Sequence, residues 1–187
     1  TTLPKSLKEL ISMDAMQNLL ERRSVRKYKA DSIPQEVLDI IIQAGLLAPS
    51  AKGMQKAIIV AVTNKEVRDR LSETNRKYGG WDQGFDPFYG APVALVVLAP
   101  KDHYATVQDG SLVLGNLMLA AHEQGLGSCW INRAKETFEE TDWQDWLHTL
   151  GVQGDYEGVG ICALGYAEGP VSGPGAPRKD HRLFWCK

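Results

Sequence analysis

Five cationic side chains lie within eight residues near the start of the sequence, at positions 22, 23, 26, 27 and 29. Ser24 stands among them. Arginine guanidinium groups match phosphate oxygens in a two-pronged manner, and a serine hydroxyl adds a short hydrogen bond. The segment Arg22-Arg23-Ser24-Val25-Arg26 therefore indicates a site for a compact phosphate ester. The alternative is a solvated helix end, where cations complement the helix dipole.

Two further segments could complete such a site. Arg178 and Lys179 form a second basic pair after a Gly/Pro-rich loop, residues 169–177, and two basic spots distant in sequence can close on one phosphate. The segment from Pro49 to Gln55 follows a predicted helix, and a tight turn there would expose amides and carbonyls. Such a loop suits a planar heterocycle that needs hydrogen bonds along its edge. The alternative is a plain connection from helix to strand.

Several other chemistries lack their residues in this sequence. The stretch that begins at Gly125 starts like a dinucleotide-binding fingerprint, but Trp130 stands where the third glycine belongs and the stretch runs from helix to strand. The sequence has no P-loop and no GxSxG elbow. Its four histidines lack the spacing of metal ligands. We therefore expect no metal site and no catalytic side chain of these classes.

The composition is that of an ordinary globular chain. A length of 187 residues fits one domain, residues 1–187, with 43% hydrophobic and 24% charged residues. A net charge of −2 argues against a nucleic-acid or membrane-surface partner, and the longest apolar run, residues 91–100, is too short to span a membrane. Three irregularly spaced cysteines and the lack of a signal pattern favour the cytoplasm. Cys129 is expected in the core and Cys186 in an exposed tail.

Hydrophobic periodicity predicts the elements that would position these residues. Helices are predicted over residues 6–21, from Pro34 to Pro49, and over residues 65–78, 108–124 and 141–150, the third of them polar and exposed. Ser32 is a capping candidate and Pro34 suits the first turn. Strands are predicted over residues 57–63, 92–99, 128–131 and 158–166, all buried except the short third one. The pattern is α+β or α/β, with about four strands covered by helices.

The helix over residues 108–124 carries no charged residue between Gly110 and Ala121. A helix that is apolar on every side is buried on every side, and a domain of this size can hardly wrap one completely. A second subunit would complete the cover, which favours a homodimer. An ordinary central core helix is the alternative reading of the same pattern.

Five motifs resemble those of the nitroreductase family, in the same order and with similar spacing. They are RRSVRKY at 22–28, APSAKGMQ at 48–55, GAPVALVVLA at 90–99, DGSLVLGNLMLAAHEQGLGSCWI at 109–131, and LGYAEGP at 164–170 with PRK at 177–179. Each motif alone is weak, but five in order are strong. The resemblance covers nearly the whole chain.

The resemblance implies a fold, a cofactor and an assembly. The fold would be an α+β sandwich, a central mixed or antiparallel sheet of about four or five strands flanked by helices, in an intertwined homodimer. Two FMN sites would lie at the subunit interface. NADH or NADPH would supply electrons to the flavin, and a small-molecule acceptor would then take two of them at the same pocket.

The resemblance also assigns residues to the flavin. Arg22, Arg23 and Ser24 would hold the phosphate together with Arg178, beside Lys179, and Arg26 would reach the pyrimidine end. The partner subunit would contribute the loop residues Pro49, Ser50, Ala51, Gly53 and Gln55. Near the N5 edge would lie Trp130, Ile131, Asn132 and Arg133. Gly53 stands where the family often has Asn, and Lys56 where it often has Pro, so the resemblance implies the fold here but not the detailed pyrimidine contacts of this loop.

The segment before the second strand offers additional candidates. Gln83 or Asp86 could make a further pyrimidine contact. The aromatic residues of this stretch could lie over the flavin or pack locally in the core; they are Tyr78, Trp81, Phe85, Phe88 and Tyr89.

Three functions fit these features. The first is an NAD(P)H-dependent FMN oxidoreductase that reduces nitroaromatics, quinones or similar acceptors by two-electron ping-pong transfer. The second is a related flavin enzyme with other chemistry, such as dehalogenation, flavin destruction or oxidation. The third is a flavin-binding protein without catalysis, which would bind flavin that NAD(P)H cannot reduce.

Overall fold

The computed structural model describes residues 14–170 and 175–187, which form an antiparallel sheet between two layers of helices. The helices are α1 (Ala15–Glu21), α2 (Gln35–Leu46), α3 (Lys65–Gly79), α4 (Thr106–Glu123), α5 (Ala134–Thr137) and α6 (Thr141–Thr149). The strands are β1 (Ile58–Val62), β2 (Val93–Pro100), β3 (Gly127–Ile131) and β4 (Tyr156–Gly165). The predicted α+β class with about four strands is confirmed.

The strands lie in the order β1, β2, β4, β3, and each neighbouring pair is antiparallel. The apolar run of β2 is buried from Val93 to Ala99 because helices cover both faces of this central strand. β1 lies at an edge, and Val62 is its one buried residue. The strand predicted over residues 57–63 is therefore right in position but wrong in burial.

The core has two halves, one on each face of the sheet. Alternate side chains of β2 point to opposite faces, so Val96 and Leu98 join one half while Leu95 and Val97 join the other. The first half packs against α3, α5 and α6 through Leu71, Phe138, Trp143 and Leu147. The second packs against α2 and α4 through Leu38, Ile41, Leu114 and Leu117. Burial of each such side chain stabilises the fold by about 1.5–3 kcal/mol.

Helix α4 ends in the glycine manner that the sequence predicts. Gly125 takes a left-handed φ of 72°, and the Leu126 N–H donates to the Ala121 carbonyl at 2.8 Å. The helix is not covered on every side within one chain, since Val107 is 55% exposed and Leu112 46% exposed. The expectation that one domain of this size does not wrap the helix completely is therefore confirmed, and its cover by a second subunit stays a prediction.

Three further expectations need correction or restriction. The first predicted helix is described from Ala15, with Asp14 as its cap, and the part before residue 14 lies outside the described residues. Helix α2 is preceded by Pro34 itself at the capping position, so Ser32 is not the cap. Helix α3 is polar but not wholly exposed, because Arg68, Ser72 and Asn75 are buried.

Candidate functional site

The basic segment lies along the free edge of β3. Ser24 pairs with Ser128 in a parallel bridge, and the Val25 N–H donates to the Ser128 carbonyl at 2.9 Å. A β-carbon on Gly127 would lie 2.9 Å from Val25, so the close approach of the two segments requires a glycine at this position. Val25 is buried and fixes the segment, while Ser24 and Arg26 on either side of it remain exposed.

Two arginines of this segment carry buried nitrogen atoms without hydrogen-bond partners among the described residues. They are Nη1 of Arg22 and Nε of Arg23. Another nitrogen of Arg23, Nη1, donates to the Arg22 carbonyl at 2.7 Å, which orients the guanidinium group. A buried donor without a partner is costly, and a guanidinium group accepts no hydrogen bond in return. The two side chains can therefore donate to an anion.

The C-terminal segment comes back to the same arginines. A β-carbon on Gly175 would lie 3.1 Å from Cζ and Nε of Arg23. Arg178 and Lys179 follow a few residues later with exposed side chains. The segment thus passes Arg23 at Gly175, while the approach of Arg178 and Lys179 to the phosphate stays a prediction. The Gly/Pro-rich loop before this segment lies partly outside the described residues, at 171–174.

Cys129 on β3 lies below this cluster and is buried, as expected for a core cysteine. Burial raises the pKa of its thiol above the ordinary value, whereas Arg26, a hydrogen bond with Ser24 and Arg22 act in the opposite direction. Arg22 and Ser24 from the predicted phosphate side and Arg26 from the predicted pyrimidine side therefore act on one thiol, which places their polar groups around the same end of β3. Cys186 is exposed in the tail, also as expected.

The loop before β1 has a backbone that few residues adopt. Lys52 and Gln55 have φ values of 53° and 50°, and Gly53 has a φ of 66°. Left-handed conformations of non-glycine residues cost free energy and persist where the surroundings hold them. The Ser50 hydroxyl accepts the Gln55 N–H at 2.9 Å, and the Asp109 carboxylate accepts the Ala51 N–H at 2.9 Å. The loop is thus held from within and from helix α4.

A cavity of about 190 Å³ opens between this loop, the end of α2 and helix α4. Its polar lining comes from Ser50, Gln55 and Asp109. Its apolar lining comes from Leu46, Ala48, Pro49, Ala57 and Val113. A wall that is apolar, with a few polar groups directed inward, can hold the edge of a flat polar molecule.

The turn after β3 carries the third group of candidate residues. Asn132 offers its carbonyl to Nδ2 of Asn75 at 2.7 Å, and Arg133 takes a left-handed φ of 72°. Trp130 packs over Gly160, where a β-carbon would lie 2.8 Å from the indole Nε1. This Nε1 is buried and has no partner among the described residues. Ile131 is buried in the core beneath the turn.

The sheet separates the candidate segments of one chain. The loop of residues 49–55 leads into β1, at one edge of the sheet, where Ile58 lies opposite Leu98. The basic segment lies beside β3, at the other edge, where Gly127 lies opposite Gly165. Three strand spacings of about 4.8 Å separate these edges by about 14 Å. The two segments also face opposite ends of β4, so the structure brings residues 22–26 and 128–131 together but not the loop.

Among residues 14–170 and 175–187, no three histidine, cysteine or acidic side chains form a group that could hold a metal ion. No helix in these ranges is long and apolar enough to cross a membrane.

The family model for Nitroreductase matches residues 19–78 and 80–166, which is most of the chain. The chain belongs to the Nitroreductase family. A nitroreductase with bound FMN from Bacteroides fragilis superimposes with a TM-score of 0.81 and 26% identity, over 94% of this chain and 100% of that chain. An FMN-dependent nitroreductase from Clostridium difficile gives a TM-score of 0.74 and 31% identity, over 92% of this chain and 99% of that chain.

Curated relatives of this Nitroreductase-family chain are longer. An FMN reductase (NAD(P)H) from Bacillus subtilis is 35% identical over 142 residues, which are 68% of this chain and 57% of that protein. The chain spans about 60% of the length of the curated relatives that it matches.

In this Nitroreductase-family chain, Asp86 has a structural task, and the flavin contact considered above for Gln83 or Asp86 stays a prediction. Its carboxylate accepts from Arg68 Nη2 at 2.5 Å, Ser72 Oγ at 2.6 Å, and the N–H groups of Phe88 and Gly90 at 2.9 and 2.7 Å. Burial raises the pKa of Asp86, but the hydrogen bonds outweigh it and hold the pKa below the ordinary value. Gln83 is exposed.

The aromatic residues of this segment were expected either to lie over the flavin or to pack in the core, and they differ in burial. Phe88 is fully buried and belongs to the core. Tyr78, Trp81 and Phe85 are each about two fifths exposed. The rings of Trp81 and Phe85 lie 5.4 Å apart, and Phe85 meets Tyr89 edge-on at 6.0 Å. Local packing therefore explains Phe88, while the other rings form a half-exposed aromatic surface.

Sequence reasoning missed two residues that hold the candidate segments. Asn75 is fully buried and holds the turn at Asn132, and Asp109 is buried and holds the loop at Ala51. Both contacts join residues more than fifty positions apart. Asp109 stands inside a quoted motif, but its residue type alone does not tell which backbone group it meets.

Proposed function

We propose that this chain is an FMN-dependent oxidoreductase that uses NADH or NADPH to reduce nitroaromatics, quinones or similar acceptors. The observation that carries the proposal is the pair of buried guanidinium nitrogens on Arg22 and Arg23 that no described residue satisfies. The FMN phosphate has three acceptor oxygens and two negative charges near neutral pH, which suits two such donors. The chain also lacks the glycine fingerprint of a dinucleotide site.

The phosphate grip consists of Arg22, Arg23 and the exposed Ser24 hydroxyl. Val25 anchors the segment in the core, so the polar groups on both sides of it have fixed positions. Arg178 and Lys179 close over the phosphate from the segment that rests on Arg23 at Gly175. A grip with one arginine oriented by a backbone carbonyl loses little rotational freedom on binding.

Two other segments hold the ring system. Arg26, exposed on the same side as the phosphate grip, binds the pyrimidine end. The turn of Trp130, Ile131, Asn132 and Arg133 flanks the edge of the ring that exchanges electrons. Asn75 holds the Asn132 carbonyl in place, and the left-handed Arg133 turns the backbone so that its amides can face the ligand.

The site is completed by a second copy of the chain. Pro49, Ser50, Ala51, Gly53 and Gln55 lie at the opposite corner of the sheet from the basic segment, so they serve the flavin of a partner subunit. Exposed apolar side chains support a homodimer; they are Met16, Leu19, Leu20, Leu46, Leu47, Val107 and Leu112. Large exposed apolar areas typically mark an interface.

The bound FMN supplies the two-electron redox chemistry. The chain binds and orients the cofactor, and its half-exposed rings at Trp81 and Phe85 offer a flat apolar surface to an aromatic acceptor. No side chain of the chain is required as a general acid, since solvent can supply the proton. We treat residues 1–187 as one FMN-binding domain and place it in the cytoplasm, which suits the free thiols of Cys129 and Cys162.

Two related proteins support this proposal, since one is a nitroreductase with bound FMN and the other is an FMN reductase (NAD(P)H). The deciding experiment is the absorbance spectrum of the purified protein, followed by chromatography of the chromophore after denaturation. We expect flavin bands and FMN. FAD, or no chromophore after supply of FMN, would contradict the proposal.

Turnover then separates the enzyme from its alternatives. We expect steady oxidation of NADH or NADPH in the presence of a nitroaromatic or a quinone, and a dimer mass by light scattering. Bound FMN that neither nicotinamide reduces would instead indicate a flavin-binding protein. A monomer that retains its flavin would contradict the shared site.

A further inference from the structure

We propose that Asp109 is a positioning residue for the flavin site, through the loop of residues 49–55. This inference rests on the proposed function, because the loop matters only if it meets a flavin. Asp109 lies in the first turn of α4 and is 3% exposed. Its two carboxylate oxygens have separate tasks: Oδ1 accepts the Ala51 N–H at 2.9 Å, and Oδ2 lies 2.9 Å from Nε2 of His103.

His103 fixes the direction of the carboxylate. This histidine is buried, and its own backbone is tied at both ends: its N–H donates to the Pro100 carbonyl at 3.1 Å, and its carbonyl accepts the Thr106 hydroxyl at 2.8 Å. The chain of contacts therefore runs from the end of β2, through His103 and Asp109, to the backbone of the loop. A rigid central strand thus determines where Ala51 lies.

The loop needs such a tie because its own backbone is unfavourable. Lys52 and Gln55 have positive φ values, and each such residue costs free energy that its surroundings must offset. Within the loop, the Ser50 carbonyl accepts the Gly53 N–H at 2.9 Å and the Ser50 hydroxyl accepts the Gln55 N–H at 2.9 Å. These bonds shape the turn, but Asp109 joins the turn to the rest of the fold.

Asp109 does not contact the flavin in this proposal. It increases the fraction of protein whose loop has the conformation that binds FMN. A ligand that binds only one loop conformation has an affinity reduced by the fraction of protein in that conformation. Without the carboxylate, the loop samples other conformations and the apparent affinity for FMN falls. An asparagine keeps an oxygen that accepts from the Ala51 N–H, and its amide can make a hydrogen bond with Nε2 of His103. The charge of Asp109 is therefore dispensable, while its acceptor is not.

The test compares Asp109→Ala, Asp109→Asn and the matched controls Asp102→Ala and Asp102→Asn. Asp102 is exposed in the same turn as His103. The apoproteins are titrated with FMN, and hydrogen exchange reports on the loop amides. We expect Asp109→Ala to raise the FMN dissociation constant about tenfold and to accelerate exchange at Ala51. Asp109→Asn and both controls should bind like the wild type. Turnover of Asp109→Ala should return to the wild-type rate at saturating FMN.

Three results would overturn the inference. One is wild-type FMN affinity in Asp109→Ala. Another is an Asp109→Asn variant as weak as Asp109→Ala, since the charge would then be what matters. The third is low turnover that saturating FMN does not restore. If Asp109→Ala does not fold, Asp109→Ser replaces it, because its side chain is too short to reach Ala51. Failure of the wild type itself to bind FMN would remove the proposed function, which is a distinct outcome.

Discussion

Arginines with buried guanidinium nitrogens lie at two places in the molecule, and the two places differ in whether those nitrogens have hydrogen-bond partners. Arg68 on α3 donates from Nε to the Ala91 carbonyl at 2.9 Å, pairs with Asp69 and Asp86 at 3.1 and 2.5 Å, and lies over the ring of Phe88. Arg22 and Arg23 beside β3 each keep a buried nitrogen without a partner among the described residues.

The difference separates structure from function. A buried donor that the fold itself needs is satisfied by the fold, because leaving it unpaired costs about 1–3 kcal/mol. A donor that the fold leaves unsatisfied is open to another partner, and a phosphate is one such partner. Arg68 therefore stabilises the fold, whereas we propose that Arg22 and Arg23 bind a phosphate. The comparison predicts that mutation will reduce stability at one place and FMN binding at the other.

The largest effect should follow Arg68→Ala. Removing one partner of a mostly buried ion pair leaves the other without compensation, so we expect a loss of about 3 kcal/mol in the free energy of unfolding. Chemical denaturation of the variant measures it. Lys65→Ala is the control on the same helix, since its pair with Asp69 is exposed and should contribute no more than about 0.5 kcal/mol. Equal losses in the two variants would contradict the structural assignment of Arg68.

Acid should weaken the same cluster. The hydrogen bonds of Asp86 hold its pKa below 3.8, its ordinary value, so the unfolded chain takes up a proton before the folded chain does. The stabilisation by Asp86 is fully present above the pKa of the unfolded chain, and it is lost as the pH falls through the lower pKa of the folded chain. Between about pH 5 and pH 2, the free energy of unfolding should therefore fall more steeply with falling pH for the wild type than for Asp86→Asn. An equal pH dependence of the two free energies would contradict this role of Asp86.

The next effect concerns the open arginines. Arg23→Ala should remove charge-assisted hydrogen bonds to the FMN phosphate, which are worth about 1.5–3 kcal/mol. We therefore expect the dissociation constant for FMN to rise roughly 10- to 100-fold. Fluorescence titration of the apoprotein measures it. Lys27→Ala is the matched control, because Lys27 lies in the same segment but is 75% exposed and paired with Glu168. If both changes weaken FMN equally, general attraction and not the open donors holds the phosphate.

Much of the sheet could be read from the sequence. β2 and residues 158–165 of β4 are continuous runs without charged residues that helices cover on both faces, and such runs have few alternatives. Helix α3 was harder, because the residues that it buries are polar. Arg68, Ser72 and Asn75 lie inside only because partners distant in sequence satisfy them, and no local pattern shows this. The edge position of β1 likewise depends on strand order.

The candidate site divides in the same way. The basic segment was visible because dense charge in a slightly acidic chain is unusual, and its family motif adds roles for each residue. Asp109 and Asn75 were not visible, since their importance lies in which backbone group each one meets across the fold. The flavin contacts of residues 22–26, 49–55, 130–133 and 178–179 remain predictions that the variants described above can test.

The smallest predicted effect concerns Arg26, which lies in the basic segment but has an exposed side chain. We assign it to the pyrimidine end of FMN, where reduction of the flavin increases negative charge. A guanidinium group there stabilises the reduced form more than the oxidised form. Loss of such a bond costs about 1.5 kcal/mol, which for a two-electron couple corresponds to about 30 mV.

Arg26→Ala should therefore lower the two-electron potential of bound FMN by about 30 mV, with FMN still bound. Arg23→Ala should leave the potential of its bound fraction nearly unchanged, because the phosphate has the same charge in both oxidation states. Potentiometry on both variants separates the two roles. An unchanged potential in Arg26→Ala would remove Arg26 from the ring, and a shift in Arg23→Ala would show that the grip on the phosphate also senses the charge of the flavin.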